Sequence, residues 1–316
     1  MIFFLYGHDS YRSKEKLEQI KTKFKNEIDE KGFNIITLTG DDFDLEKFNS
    51  AAVQSGFLTS KRLIIVKNLL LSKPNKDLAD QLLELLKKLK ATENIFIFYE
   101  AGLPDKRSAM FKFLNKDKKL SQIFEALTGK ALTDWLKKYV QDQGGQIQIS
   151  ALNLLIASIG NDLWQLTNEL NKLIAFKNQE EIKEQDVREF VSVKITENVF
   201  GLTEAIAAGN RPQALKLLDE QLKSGLNEIY LLTMIVRQFR IVAQLKSLLS
   251  QNLSPAQVTQ ASGLHPYVVK KTLPLAKKFP AAKIQTIYQK LAELDKQFKS
   301  TSLPPETLMD LLIMEI

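Results

Sequence analysis

The sequence predicts an N-terminal α/β domain built on a parallel sheet, then a small helical domain, then an all-helical C-terminal domain. Three observations lead to this fold class. The chain has 316 residues, and at roughly 100 to 200 residues per domain it holds two or three domains. In residues 1–128, short apolar runs alternate with amphipathic stretches, which is typical of a parallel sheet covered by helices. The strand pattern nearly disappears in residues 129–194, and residues 195–316 show only helical patterns.

The apolar runs of the first domain predict four strands. Ile2–Tyr6 contains only apolar and aromatic residues and ends at Gly7, as expected for a strand that is buried on both faces. The other three runs are residues 34–39, 62–66 and 95–99.

Apolar residues at spacings of three and four predict the helices between these strands. The helical stretches are residues 13–30, 45–54 and 77–90. In the second of them, the pattern places Ala52 and Val53 on the buried side.

The remaining helices are predicted in the same way. In the second domain, Ser150 is a candidate N-cap, and the helices are residues 131–143, 150–158 and 162–176. In the third domain, Gly and Pro turns separate seven predicted helices: residues 199–208, 211–224, 226–249, 254–262, 267–278, 281–299 and 305–316.

Composition excludes several kinds of site. The chain has no Cys, which excludes disulfides, thiolate nucleophiles and thiolate metal ligands. His8 and His265 are the only histidines, too few for a multi-histidine metal centre. The first ten residues lack a basic segment, and no run approaches the ~18 apolar residues of a membrane span. We therefore expect a soluble, cytoplasmic protein that binds no membrane.

Positive charge is concentrated in two regions. Residues 61–119 contain 14 Lys and Arg against 7 Asp and Glu. A second basic run has no acidic residue within it and consists of Lys270, Lys271, Lys277, Lys278 and Lys283. Both regions fit a contact with nucleic-acid phosphates, but most Lys-rich helix faces are simply solvated, and we favour that interpretation.

The first strand and helix lack the residues that a phosphate-binding loop requires. Such a loop places a second Gly and a Lys five and six residues after the first Gly, so that backbone N–H groups and an ammonium surround the phosphates. After Gly7, those positions hold Arg12 and Ser13, and the third strand ends in Lys67-Asn68 instead of acidic residues. We therefore predict no ATP hydrolysis and no bound cofactor.

Two further features have structural interpretations. Asp41, Asp42 and Asp44 precede a predicted helix, where carboxylates favour the positive helix end, so we favour capping over metal binding. Trp135 and Trp164 lie at helical spacing from leucines, which predicts packing in the core.

The segment SGFLTSKR, residues 55–62, interrupts the pattern of solvent-facing loops. Phe57 and Leu58 are adjacent, and two neighbours cannot both point inward from a helix end. An exposed apolar pair with polar surroundings often marks a protein contact. A hydrophobic plug beneath the sheet edge explains the same pair.

Five stretches, taken in order, resemble the family of delta subunits of the bacterial DNA polymerase III clamp loader, over essentially the whole chain. They are FFLYGHDSYRSKE near the start, SGFLTSKRLIIVKN, GNDLWQLTNELNKL, NVFGLTEAIAAGNRPQALKLLDEQL and IYLLTMIVRQFRIVAQL. The last, with Arg237-Gln238-Phe239-Arg240, is the most specific.

This resemblance implies a degenerate AAA+-like domain at residues 1–128, a lid domain at 129–194 and a helical collar at 195–316. The phosphate loop at Gly7, Arg12 and Ser13 would no longer bind nucleotide. The collar would assemble with gamma or tau and with delta prime into a five-membered ring. Arg237, Phe239 and Arg240 are the residues that we expect to take part in this assembly.

The resemblance also implies that the chain binds and opens the beta sliding clamp, so that the clamp is loaded on primed DNA. A pair of hydrophobic residues enters a pocket on the clamp, and this pair is Phe57 and Leu58, or Gly56 and Phe57 under a one-residue shift. In the second register, glycine replaces a large apolar residue and the contact weakens.

Three basic residues of the first domain, Lys61, Arg62 and Lys67, are candidate contacts to the primed DNA. Two other functions fit parts of the sequence. One is an AAA+ ATPase with an atypical phosphate loop, and the other is a stand-alone basic nucleic-acid-binding protein.

Overall fold

The structure is a computed structural model that describes residues 1–54, 56, 61–89, 92–191 and 193–316. The chain divides into two compact units, Met1–Leu127 and Thr128–Ile316. The predicted α/β region with a parallel sheet, followed by helices, is confirmed. The finer division at residue 194 stays a prediction.

The first unit contains a five-stranded parallel sheet in the order β2-β3-β4-β1-β5. Its elements are β1 (Ile2–Tyr6), α1 (Ser10–Glu27), β2 (Ile35–Thr39), α2 (Leu45–Val53), β3 (Leu63–Lys67), α3 (Lys76–Lys88), β4 (Ile95–Glu100), α4 (Ala109–Leu114) and β5 (Ser121–Ile123). Both α4 and β5 were missing from the sequence-based prediction. With six and three residues, they are too short to show a period.

Strand β3 shows why the central strands of the sheet are apolar. Ile64 and Val66 pack on one face, in a core that includes the buried residues of α2, α3 and α4. Leu63 and Ile65 pack on the other face, with Leu17 of α1. All four strand side chains are fully buried, and burial of such a side chain contributes roughly 1.5 to 3 kcal/mol.

Because all strands of the sheet run in the same direction, their amino ends lie along one side and their carboxyl ends along the other. We call these two sides the amino edge and the carboxyl edge. At the carboxyl ends, Gly7 follows β1, Asn68 follows β3 and Glu100 is the last residue of β4; at the amino ends, Met1 precedes β1 and Asn94 precedes β4. The two edges are separated by the length of a five-residue strand, about 16 Å. Residues near one edge therefore do not contact those at the other.

The second unit is helical apart from two short paired strands. Its elements are α5 (Gly129–Asp142), β6 (Gln146–Ile147), α6 (Ile149–Ile159), α7 (Leu163–Lys177), β7 (Glu181–Ile182), α8 (Glu184–Phe190), α9 (Val193–Ala208), α10 (Arg211–Lys223), α11 (Glu228–Leu249), α12 (Pro255–Ser262), α13 (Pro266–Lys278), α14 (Ala281–Ser300) and α15 (Pro305–Glu315). Helix α11 lies in the core, where Phe239 packs edge-on against Phe279 at 5.9 Å between ring centroids. Among the described residues, no helix is long and apolar enough to cross a membrane.

Three sequence-based predictions about single residues are wrong. Ser150 lies inside α6, because Gln148 already precedes the first helical residue. Trp164 is 46% exposed, since Leu163 and Leu166 take the buried positions of α7. Val53 is 67% exposed, because its neighbour Ala52 faces the core and adjacent helical residues point in different directions.

Candidate functional site

The loop after β1 is closed by the chain's own backbone. Gly7 has φ +140, and a Cβ atom at this position would lie 2.1 Å from the carbonyl oxygen of Phe124. Hydrogen bonds hold the approach: Phe124 N donates to Tyr6 O at 2.7 Å, and Asp9 N donates to Phe124 O at 3.0 Å. The backbone at Phe124 therefore fills the space directly beside the loop.

A carboxylate of the protein occupies the N-terminus of α1. The buried Asp9 side chain accepts hydrogen bonds from Arg12 N at 2.9 Å and Arg12 Nε at 2.5 Å. Arg12 Nη2 also donates to Glu125 O at 2.6 Å. A phosphate-binding loop uses this positive helix end for its ligand. Here Asp9 takes that role, and the Arg12 guanidinium is committed to protein acceptors.

The hydroxyl that would hold magnesium in a phosphate-binding loop is also engaged. Ser13 is fully buried, and its hydroxyl donates to Tyr99 Oη at 3.3 Å. The structure therefore brings the predicted residues Gly7, Arg12 and Ser13 together, in an arrangement where each has protein partners.

The carboxyl ends of β3 and β4 do not form a metal site. Asn68 follows Lys67 with φ 56, and its Oδ1 accepts a hydrogen bond from Ala101 N at 2.9 Å. Among the described residues, no group of three or more Asp, Glu, His or Cys is placed to hold a metal ion. At the start of α2, Asp44 caps the helix by accepting from Glu46 N and Lys47 N, as predicted.

Glu100, which sequence reasoning missed, holds the loop that follows β3. Its carboxylate is fully buried and accepts hydrogen bonds from Leu70 N at 2.9 Å and Leu71 N at 3.0 Å. Burial raises the pKa of Glu100 to about 7, and the hydrogen bonds from the loop act in the opposite direction. The only sequence signal was an acidic residue at the end of an otherwise apolar strand.

The predicted clamp contact falls mostly outside the described residues. Phe57 and Leu58 are not described, whereas Gly56 is described and half-buried. On either side of this segment, α2 ends at Val53 and β3 begins at Leu63. These flanks lie at the amino edge of the sheet, opposite the loop that follows β1.

One buried side chain joins the two flanks. Asn94 is 5% exposed, and its Nδ2 donates to Ala52 O at 2.8 Å while its Oδ1 accepts from Arg62 N at 2.8 Å. The amino group of Met1 donates to Asn94 O at 3.0 Å, and burial, assisted by the charge of Lys61, lowers the pKa of that amino group. Asn94 therefore fixes the backbone at Ala52 and Arg62, the two residues that border segment 53–61.

The three candidate DNA contacts of the first unit do not form one cluster. Arg62 Nη1 donates to Gln54 Oε1 at 3.1 Å, and Lys61 Nζ lies 3.8 Å from a carboxylate oxygen of Glu93. Both residues lie at the amino edge, whereas Lys67 ends β3 at the carboxyl edge. Their role toward DNA stays a prediction.

Exposed apolar side chains lie at the same edge as segment 53–61. Met1 is 59% exposed, Phe33 68% and Val53 67%. Met1 directly precedes β1, Phe33 lies two residues before β2, and Val53 ends α2. Scattered exposed apolar residues are common, but three at one sheet edge give that edge an apolar character.

In the second unit, Arg237 links α11 to the end of α6. Its Nη1 donates to Ser158 O at 2.9 Å, and burial lowers the pKa of the guanidinium, an effect opposed by Tyr230 and Asp162. Gly160 has φ +92, and a Cβ atom there would lie 2.6 Å from Arg237 Nη2.

The other residues predicted for collar assembly are in contrasting environments. Phe239 is fully buried, whereas Arg240 is exposed. The predicted role of Arg237, Phe239 and Arg240 in assembly stays a prediction.

Comparison with known protein families gives two matches. Residues 3–124 match the family model described as DNA polymerase III, delta subunit. Residues 196–316 match the family model described as DNA polymerase III delta subunit, C-terminal domain. Together the two matches cover most of the chain.

Two relatives of this chain are also described as delta subunits of DNA polymerase III. The DNA polymerase III subunit delta of Bacillus subtilis is 24% identical over 322 aligned residues, which span all of this chain and 92% of the relative. The probable DNA polymerase III subunit delta of Aquifex aeolicus is 23% identical over 245 residues, covering 74% of this chain and 67% of the relative.

A solved structure shares the fold over nearly the whole chain. The Bacillus subtilis DNA clamp loader delta protein superposes with a TM-score of 0.65 at 23% identity, covering 99% of this chain and 94% of that one.

Proposed function

The chain belongs to the family of DNA polymerase III delta subunits, and from this premise we propose that it binds the beta sliding clamp and opens it for loading on primed DNA, without hydrolysing ATP itself. Its partners in the proposed complex are gamma or tau and delta prime. The activity belongs to the cytoplasm, where the bacterial chromosome is copied.

One structural observation carries the proposal that the chain does not hydrolyse ATP. The N-terminus of α1 holds the carboxylate of Asp9 in an ion pair with Arg12, and the Phe124 backbone lies against Gly7. A phosphate at this helix end would meet a buried negative charge. Its binding would also require the backbone at Phe124 to move.

The clamp contact is proposed for Phe57 together with Leu58 or Gly56. Its support is the position of the flanks, which Asn94 holds at the sheet edge opposite the closed phosphate loop. A Phe that enters a pocket on a partner contributes about 2 to 4 kcal/mol to binding. An anchor with higher affinity for the opened clamp than for the closed one would shift the clamp toward the open state by that difference in affinity.

Size-exclusion chromatography of the chain with its own organism's clamp tests the proposal. The wild-type chain should co-elute with the clamp, and the double variant Phe57→Ala, Leu58→Ala should not, while its circular dichroism spectrum stays unchanged. Retention of co-elution by a folded double variant would refute the assignment of the contact.

Two single variants separate the registers of the contact. If the pair is Phe57 and Leu58, Leu58→Ala weakens clamp binding and Gly56→Leu does not strengthen it. If the pair is Gly56 and Phe57, Gly56→Leu adds an apolar side chain and strengthens binding.

Measurements of nucleotide binding and turnover test the proposal that the chain does not hydrolyse ATP. Titration of the chain with a fluorescent ATP analogue and Mg²⁺ should show no saturable binding, and the chain should show no ATP turnover. Turnover that disappears in Arg12→Ala would favour an atypical ATPase instead.

A further inference from the structure

A cavity of about 380 Å³ lies in the second unit, where three turns of the chain meet α11. The turns are residues 128–129 at the start of α5, residues 160–162 between α6 and α7, and residues 263–265 between α12 and α13. Apolar side chains line much of the cavity, among them Leu132 and Ile241. Its volume is in the lower part of the range of about 300 to 1,000 Å³ that small-molecule sites span.

A half-buried guanidinium lines this cavity with most of its donors unused. Arg237 Nη1 donates to Ser158 O at 2.9 Å. Within the described part of the chain, this is the one hydrogen bond of the Arg237 side chain, and no carboxylate forms an ion pair with it. A guanidinium carries several further N–H groups. The remaining donors of Arg237 are therefore left for a group from outside the chain.

The backbone at Gly160 makes room for this guanidinium. A Cβ atom at Gly160 would lie 2.6 Å from Arg237 Nη2, and the φ of +92 is in the left-handed region that favours glycine. The turn between α6 and α7 therefore approaches Arg237 with no side chain between them. Burial lowers the pKa of the Arg237 guanidinium because it disfavours the charged form. A bound anion would offset this effect.

The other polar groups of the cavity are neutral or exposed. His265 Nδ1 accepts from Tyr267 N at 3.4 Å, so a neutral ring carries its proton on Nε2, which is a second donor. Burial lowers the pKa of His265, and the ring is therefore neutral at pH 7. Arg240 and Asp162 also line the cavity, but both are exposed, and solvent screens their charges.

The charge balance favours a ligand with one negative charge. The Asp162 carboxylate acts on the Arg237 guanidinium and compensates part of its charge, so it would repel a dianion such as a phosphate monoester more than a monoanion. A planar guanidinium pairs with a carboxylate through two parallel hydrogen bonds. The apolar lining suits an apolar body attached to that carboxylate.

We propose that this cavity binds a small organic monocarboxylate. Its carboxylate pairs with Arg237 and accepts a hydrogen bond from His265 Nε2, and its apolar body lies against Leu132 and Ile241. The acidic side chain of another protein is a poorer occupant, because it has no apolar body to fill the cavity. All lining residues belong to the second unit, so the site is separate from the proposed clamp contact and goes beyond the proposed function.

Isothermal titration calorimetry of the full chain with 4-phenylbutyrate tests this proposal. The ordinary binding efficiency of a ligand of this size corresponds to a dissociation constant on the order of 1 mM. The neutral isostere 4-phenylbutyramide should bind at least about 10-fold more weakly, because charge-assisted hydrogen bonds are lost. The dianion 3-phenylpropyl phosphate should bind no more tightly than the carboxylate.

Two variants examine the charge and the space of the cavity separately. Arg237→Met should weaken binding of 4-phenylbutyrate at least about 10-fold and leave binding of the amide unchanged, whereas the control Arg211→Met removes an exposed charge outside the cavity and should have no effect. Gln165 is exposed and lines the cavity, so Gln165→Trp should obstruct it and weaken binding of both probes. The control Gln285→Trp, on an exposed position of α14, should bind like the wild type.

Circular dichroism and thermal unfolding establish that each variant is folded. Because Gln165→Trp changes an exposed residue, it tests the site even if Arg237→Met does not fold. The double variant Phe57→Ala, Leu58→Ala should bind 4-phenylbutyrate normally, so that failure of the clamp proposal is recognised separately.

Four results would overturn the proposal. The first is no saturable binding of 4-phenylbutyrate by the wild type up to about 20 mM, and the second is unchanged binding by a folded Arg237→Met or Gln165→Trp variant. The third is equally tight binding of glutamate blocked as its N-acetyl amide, which would indicate the acidic side chain of a partner protein. The fourth is tighter binding of the phosphate probe, which would indicate a phosphorylated ligand.

Discussion

The substitution Asn94→Ala removes the side chain that joins the two flanks of segment 53–61. It deletes the hydrogen bonds to Ala52 O and Arg62 N, both of 2.8 Å. Each bond contributes about 1 kcal/mol, and a buried group left without a partner costs about 1 to 3 kcal/mol. We therefore expect the first unit to lose about 2 to 4 kcal/mol of its free energy of unfolding.

The same substitution should weaken clamp binding without touching the clamp. If two flanking residues become free to move, ordering them again on binding costs about 2 to 4 kcal/mol, which is a loss of about 30-fold or more in affinity. Hydrogen exchange with mass spectrometry measures the stability of the first unit through the amides of β3, and biolayer interferometry measures the dissociation constant for the clamp.

Asn115→Ala is the matched control for this prediction. Asn115 Oδ1 accepts a hydrogen bond from Ser121 Oγ at 2.7 Å, in the same unit but far from the segment in sequence. The control should lower stability by about 1 kcal/mol and leave clamp affinity unchanged. The reasoning is refuted if Asn94→Ala binds the clamp like the control, or if β3 exchanges as slowly as in the wild type.

Two further predictions concern other parts of the chain. Gly160→Ala places a Cβ atom 2.6 Å from Arg237 Nη2. It should destabilise the second unit more than the control Gly144→Ala, where φ is +77 but no atom lies within 4 Å of the new Cβ atom. Equal thermal stabilities of the two variants would contradict this prediction. Because the folded pKa of Glu100 is about 7, above its ordinary value, stability is fully present below about pH 4.5 and falls by up to about 3 kcal/mol as pH rises through 7. Glu100→Gln should flatten this dependence in urea titrations, and an unchanged pH profile would exclude Glu100 as its source.

Residues with a local, periodic signal could be predicted from the sequence. The central strands of the first unit are nearly continuous apolar runs because both faces of the sheet are covered there, so Ile64 and Val66 could be recognised without knowledge of their partners. The lack of a phosphate-loop motif could also be recognised from a short stretch of sequence, since the motif depends on which residues follow Gly7 at fixed spacing.

Residues that act through long-range contacts could not be predicted. Asn94 binds groups 42 and 32 positions away in the chain, and a single polar residue before a strand has no period. Asp9 N and Arg12 Nη2 donate to the carbonyl oxygens of Phe124 and Glu125, which lie beside them only because the chain after β5 passes next to Gly7. Trp164 was misjudged because helical spacing identifies two possible faces, and only packing decides which one is buried.

The dissociation constant for the chain and its own organism's sliding clamp tests the central claim most directly. Phe57→Ala should weaken binding by about 30-fold to several hundred-fold, the equivalent of about 2 to 4 kcal/mol. The control Phe176→Ala removes an exposed Phe of the second unit and should leave the constant unchanged. A folded Phe57→Ala variant that binds as tightly as the wild type, or a wild-type chain that does not bind the clamp, would contradict the account.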